Sequence, residues 1–178
     1  MSVLTDHHPL LIYRSNTILH KKLIDFFKIG IDSSERCIFI TSQNDGDFIF
    51  KELKKNNEPS SVVKLFSYFS VPDPEKSPVE FEKKWSKLVD LILNENFRGR
   101  VAFNVLCDIS RFTSELISKI DAVEKYIHSI SNEHSKFLCT YKIGEVNNSL
   151  NDMLDIGFSI HDHISNENED GSYSEILK

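Results

Sequence analysis

Short apolar runs and longer amphipathic stretches alternate along almost the whole chain. Leu10-Leu11-Ile12-Tyr13-Arg14 opens as a strand. Residues 16–30 then repeat apolar positions at helical spacing. Leu19, Leu23, Phe26 and Phe27 share a face, Ser15 or Asn16 can cap the start, and Gly30 can end it. Residues 35–42, ERCIFITS, form a continuous apolar run, the mark of a central parallel strand covered on both faces. A helix is predicted from about Asp47 to Asn56 and a strand over residues 62–69, VVKLFSYF. Three prolines within residues 72–78 exclude an element interior there. Pro78 opens a helix to about Asn96, with Phe81, Trp85, Leu88 and Ile92 at helical spacing and Gly99 as its stop.

The same alternation continues to the end. Residues 101–108, VAFNVLCD, read as a buried strand. Residues 113–133 read as a long helix with Leu116, Ile120, Val123, Ile127 and Ile130 on one stripe. Residues 136–143, KFLCTYKI, are another strand, Asn147 or Asn148 can open a further helix, and residues 158–165 alternate enough to lie near a sheet edge. The last stretch, 166–178, is acidic and polar and reads as a flexible tail. The pattern predicts one domain over residues 1–165: a three-layer α/β/α sandwich with a mainly parallel sheet. Ligands on such sheets bind at the carboxyl ends of the strands, here Thr41–Asp47, Phe69–Val71, Cys107–Arg111 and Tyr141–Glu145.

Composition narrows the function classes. The chain has 178 residues, 40% hydrophobic and 27% charged, enough for a sizeable core. A net charge of −6 argues against a broad nucleic-acid surface, which needs clustered Lys and Arg. The apolar runs fall well short of the roughly 18–20 residues of a membrane span, and the first 15 residues lack the basic-then-apolar order of a secretory signal. The odd set Cys37, Cys107 and Cys139 sits in or beside apolar runs, as reduced core thiols in a cytoplasmic protein would.

Residues 42–47, Ser-Gln-Asn-Asp-Gly-Asp, follow the central strand where a phosphate-binding loop would lie in a nucleotide-binding α/β protein. They offer one glycine, no lysine and two carboxylates that would repel a triphosphate. Yet IGIDSSERCIFIT resembles the approach to the first strand in KaiC-like members of the RecA class. VAFNVLCD resembles the strand that presents a magnesium-binding aspartate there, ending in Asp108. A KaiC-like scaffold without ATP chemistry, and without a cofactor, is the expectation.

One family combines these features. HHPLLIYRS, with His8 and Tyr13, resembles the opening of the MEDS domain, a sensory domain named for methanogens, methylotrophs and the regulator DcmR. FFKIGIDSSERCIFIT carries Phe27, Gly30 and Glu35 of its phenylalanine–glycine–glutamate stretch, VLCDISRF its strand with Asp108, and AVEKYIHSI an often acidic helix position at Glu124. FLCTYKI carries Cys139 and Tyr141 of its Cys-x-Tyr strand. The resemblance spans about residues 6–164. The pattern departs at Ser34 and Cys107, where the family has Gly, and at His161 and His163, which replace a His-Pro. The resemblance implies a KaiC-like, non-catalytic domain that senses small organic molecules. With no room for a signalling module after residue 165, the relay is expected to pass through a protein partner or a homodimer.

The candidate ligand-binding residues are therefore His8, Tyr13, Asp108, Arg111, Cys139 and Tyr141. Four of them also have a plain structural reading. His8 can be a hydrogen-bonded residue at a strand start, Cys139 a packed core thiol and Asp108 a cap for the next turn. Arg111 can form a salt bridge with Asp108 or Glu124. His7-His8 and His161-Asp162-His163 invite a metal reading, since i and i+2 share a strand face, but two histidines leave the set incomplete. No Gly-x-Ser-x-Gly elbow supports nucleophilic catalysis. The alternatives to a sensor are a KaiC-like interaction adaptor without a small ligand and a divergent nucleotide-binding ATPase.

Overall fold

The strand segments alternate their side chains between two apolar layers. Leu10, Ile12, Ile38, Ile40, Val101, Phe103, Phe137, Cys139 and Tyr141 lie in one core, and Leu11, Tyr13, Cys37, Phe39, Ala102 and Leu138 in the other. Such runs are buried on both faces only when helices cover both sides of a parallel sheet. The computed structural model has that architecture. It describes residues 7–73, 76–94, 97–108, 114–143, 161, 163–168 and 170–177.

The elements in chain order are β1 (Pro9–Tyr13), α1 (Asn16–Asp32), β2 (Arg36–Thr41), α2 (Gln43–Asn56), α3 (Pro59–Leu65) and β3 (Phe66–Ser70). They continue as α4 (Pro78–Asn94), β4 (Gly99–Asp108), α5 (Ser114–Ile130), β5 (Ser135–Lys142), β6 (His163–Glu167) and β7 (Tyr173–Leu177). The strands form a seven-stranded sheet ordered β3-β2-β4-β5-β1-β6-β7, parallel except for the β6–β7 pair. Apolar positions of α1, α2 and α3, including Leu23, Phe26, Phe27, Ile49, Leu53 and Val62, pack on one face. Phe81, Trp85 and Ile92 of α4 and Ile120, Val123 and Ile127 of α5 pack on the other. The predicted three-layer α/β/α sandwich with a mainly parallel sheet is the observed fold.

Several local expectations need correction. Residues 42–47 do not form an open loop: α2 already begins at Gln43, because the Ser42 side chain accepts from the Asp45 amide and caps it. Residues 62–65 belong to α3, not to a strand. Pro59 at the first helical turn starts that helix, and Val62 is buried against the α1–α2 layer despite its β-branched side chain. Gly99 opens β4 instead of merely ending a helix. Its φ of +139° and a Cβ that would lie 2.0 Å from the Arg36 carbonyl oxygen demand glycine.

The tail from residue 166 is also not a free segment. Residues 166–167 complete β6, and residues 173–177 pair back on it as β7. The turn between them is held by the Asn168 and Ser172 backbones and by Gly171 in a left-handed conformation. Polar composition hid this strand, because an edge strand needs only one buried side. The domain boundary expected at 165 thus falls inside a strand. The helix expected from Asn147 or Asn148 lies outside the described residues.

Candidate functional site

Among the described residues, two places at the sheet bear on the candidate chemistry. The first is the turn from β2 into α2, the stretch 42–47 weighed above for phosphate binding. Ser42 Oγ accepts from the Asp45 amide at 3.1 Å and donates to Asp45 Oδ2 at 2.8 Å, and His20 Nε2 lies 2.9 Å from Asp45 Oδ1. Tyr68 donates to Asp47 Oδ1 at 2.5 Å, and the Gln43 amide donates to both Asp47 and Tyr68. The hydrogen bonds from Tyr68 and Gln43 lower the Asp47 pKa, and the same contact raises that of Tyr68. Gly46 has no Cβ because the Tyr68 ring occupies its place, 2.2 Å away. The helix start is thus filled by its own side chains and carries two carboxylates. A shallow groove of about 490 Å³ lies beside it, lined by Gln43, Tyr68, Phe69, Ser70, Lys84, Lys87 and Leu88.

The second place is buried beneath α5. The α5 stripe Ile120, Val123, Ile127 requires an apolar residue at 124 as well, four after Ile120 and three before Ile127. The chain places Glu124 there, 4% exposed. Cys139 and Tyr141, two apart on β5, project to the same face. His8 enters from the residue before β1, and His161 from just before β6. All of them are buried.

Glu124 gathers them. Its Oε2 lies 3.0 Å from His8 Nε2, 3.0 Å from the donating Cys139 Sγ and 3.3 Å from His161 Nε2. Its Oε1 accepts a hydrogen bond from the Tyr141 hydroxyl. Cys139 Sγ also lies 3.5 Å from His8 Nε2, and the His8 and His161 rings sit 4.2 Å apart, centre to centre. A cavity of about 10 Å³ adjoins the cluster, bounded by Trp85, Phe103, Ile120, Val123 and Ile127 together with Glu124, Cys139 and Tyr141. That is room for about one water-sized sphere.

The electrostatics follow from burial and this one carboxylate. Burial pushes the Glu124 pKa up, but the charge and hydrogen bond of His161 and the hydrogen bond of His8 outweigh it and leave it well below the usual range. Burial lowers that of His8, the Glu124 hydrogen bond only partly offsetting it. Burial and the Glu124 charge raise both the Cys139 thiol and the Tyr141 phenol well above their ordinary values. At neutral pH the cluster is an ionised carboxylate facing a neutral His8, a protonated thiol and a protonated phenol.

Of the six candidate ligand residues, the structure brings His8, Cys139 and Tyr141 together. Tyr13 lies on the opposite face. It donates to Asn104 Oδ1 at 2.9 Å within a buried network that includes Thr140 and Thr41, so it is a satisfied core residue. Asp108 ends β4 opposite Lys142, after a shift in register. Its side chain and all of Arg111 lie outside the described residues. The cluster sits mid-sheet towards the amino ends of β1 and β6, not at the carboxyl edge where ligands were expected, because Cys139 pairs at the level of Leu10, early in β1. Sequence reasoning weighed His161 only with His163. The structure turns His161 into the cluster, whereas His163 Nε2 lies 3.9 Å from Glu175. Glu124 was marked in the sequence by the family resemblance noted above, and its place within the apolar stripe was a second signal.

No protein-family model matches the chain, and no curated protein does. Among solved structures, the chain is similar to the crystal structure of the RadB recombinase, with a TM-score of 0.60 over 91% of this chain and 74% of that one. The fold is RecA-like. At 10% identity the likeness extends to architecture alone. Among the described residues no helix is long and apolar enough to cross a membrane.

Proposed function

We propose that this domain is a non-catalytic sensor, as its resemblance to MEDS domains implies. It takes a small organic ligand at the cluster beneath α5 and relays the event to a protein partner through movement of that helix. The observation that carries this reading is the convergence of His8, Cys139 and Tyr141 on Glu124 under a single helix. A turnover site needs a reactive group kept available. Here the thiol is protonated, the carboxylate takes several donors and the whole cluster is buried. Nucleotide hydrolysis has equally little support, since the α2 start is occupied by its own side chains and by Asp45 and Asp47.

Coupling follows from the lack of space. A cavity of about 10 Å³ admits no organic molecule until α5 shifts. Any ligand held there therefore binds a conformation with α5 displaced, which is the differential affinity that a signal requires. The test is a melting-temperature screen of small organic molecules, with ATP and magnesium as a separate arm. A ligand at one hundred times its Kd adds about 2.7 kcal/mol of stability. The expected result is an upward shift with at least one organic compound, reduced by Tyr141→Phe, and none with ATP. A shift with ATP and magnesium alone would overturn the reading in favour of a nucleotide-binding protein; silence in both arms would favour a pure adaptor.

A further inference from the structure

We propose that His8, Glu124, Cys139 and His161 form a binding site for one divalent transition-metal ion of the zinc class. The site is the one read above as the sensor's input, but metal binding rests on its own donor chemistry and geometry. Two imidazole nitrogens, one sulfur and one carboxylate oxygen, all within 4.8 Å of one another and all buried, make a four-donor set drawn from four separate parts of the chain. Nitrogen and sulfur donors select zinc, cobalt or nickel over calcium and magnesium, which favour oxygen. Ligands at roughly 2.0–2.3 Å from a tetrahedral centre stand about 3.3–3.8 Å apart. Four of the six separations are 3.0, 3.0, 3.3 and 3.5 Å, and the other two are no more than 4.8 Å, so the donors close on one ion with shifts on the order of 1 Å.

The hydrogen-bond pattern points the same way. Three groups, His8, Cys139 and His161, converge on the single oxygen Oε2. A cation at their centre faces all four donors at once. Tyr141 then keeps the supporting role that metal-bound carboxylates commonly require, donating to the other oxygen, Oε1. Binding the ion moves the Cys139 thiol proton to solvent, while both histidines ligate as neutral imidazoles. With four protein ligands the coordination shell is closed, as in a structural site, and an organic ligand would enter it by replacing Glu124.

The experiment uses the full chain. After chelator treatment and desalting, the protein is loaded with zinc chloride or cobalt chloride. Metal content is read by elemental analysis and cobalt coordination by absorption. The expected result is one ion per chain and a cobalt spectrum with tetrahedral ligand-field bands and a thiolate charge-transfer band. Cys139→Ser should abolish the charge-transfer band, and His161→Gln should weaken zinc binding at least tenfold in a protein whose circular dichroism is unchanged. Tyr141→Phe should weaken it about 10–100-fold. No retained ion in the wild type, or binding that both Cys139→Ser and His161→Gln leave intact, overturns the proposal. Organic compounds that stabilise a chain unable to hold zinc would remove the metal and keep the sensor. One zinc per chain with no responding compound would keep the metal and remove the sensor.

Discussion

Replacing Glu124 by Ala in metal-free buffer tests whether one carboxylate organises the buried cluster. The side chain is 6% exposed and takes contacts from His8, Cys139, His161 and Tyr141. Each buried donor deprived of its acceptor costs about 1–3 kcal/mol, so a simple sum over the three hydrogen bonds from His8, Cys139 and Tyr141 would reach roughly 3–9 kcal/mol. Three effects reduce it. Cys139 and His8 also contact each other at 3.5 Å. Water can enter the vacated volume, which adjoins a cavity already sized for one molecule. The variant also no longer pays to bury a carboxylate. The expected loss is therefore about 3–5 kcal/mol, the usual range for removing one partner of a buried ion pair.

At this chain length that is roughly a 10 °C fall in melting temperature. Urea denaturation measures it, with an unchanged m-value showing that the transition is the same. Glu133→Ala is the control: that side chain is 77% exposed, and its replacement should stay within about 0.5 kcal/mol of wild type. A loss below about 1 kcal/mol at Glu124 would refute the reasoning, because a carboxylate holding four buried groups cannot be removed so cheaply.

Acidification should destabilise the fold. His8 is held below its ordinary 6.5, so its neutral form contributes stability that is full above pH 6.5 and declines as pH falls towards its folded value. Glu124 is held below its ordinary 4.5, so its contribution is full above pH 4.5 and is lost as pH falls through the lower folded value. Denaturation curves from pH 8 to 4 should show this, and stability that rises between pH 7 and 5 would contradict it. Gly46→Ala should cost about 1–3 kcal/mol by driving the Tyr68 ring off Asp47, seen as a changed tyrosine titration as well as a lower melting temperature. Tyr13→Phe should cost about 1 kcal/mol through the lost Asn104 bond while leaving metal and ligand responses unchanged; an altered response would put Tyr13 in the site. Deleting residues 169–178 should lower the melting temperature by several degrees and promote self-association, since it bares the β6 edge. An unchanged chain would show that β7 contributes nothing.

The sequence alone determined the sandwich, because it depends on local periodicity. Runs such as Cys37–Ile40 and Val101–Phe103, short, rich in β-branched or aromatic residues and set between helical stripes, read as strands covered on both faces, and the stripes of α1, α4 and α5 are written at helical spacing. It also put one glycine, two carboxylates and no lysine in the stretch after β2, which residue type alone gives. What periodicity could not supply was adjacency. His8 and Glu124 are 116 residues apart, and Cys139 and His8 are 131 apart. Only the order β4-β5-β1-β6 sets β5 beside β1 and brings His161 to the same face. The α3 helix and the β7 strand were hidden for the same reason. Burial of Val62 among α1–α2 side chains and pairing along β6 are tertiary effects, and they override composition and β propensity.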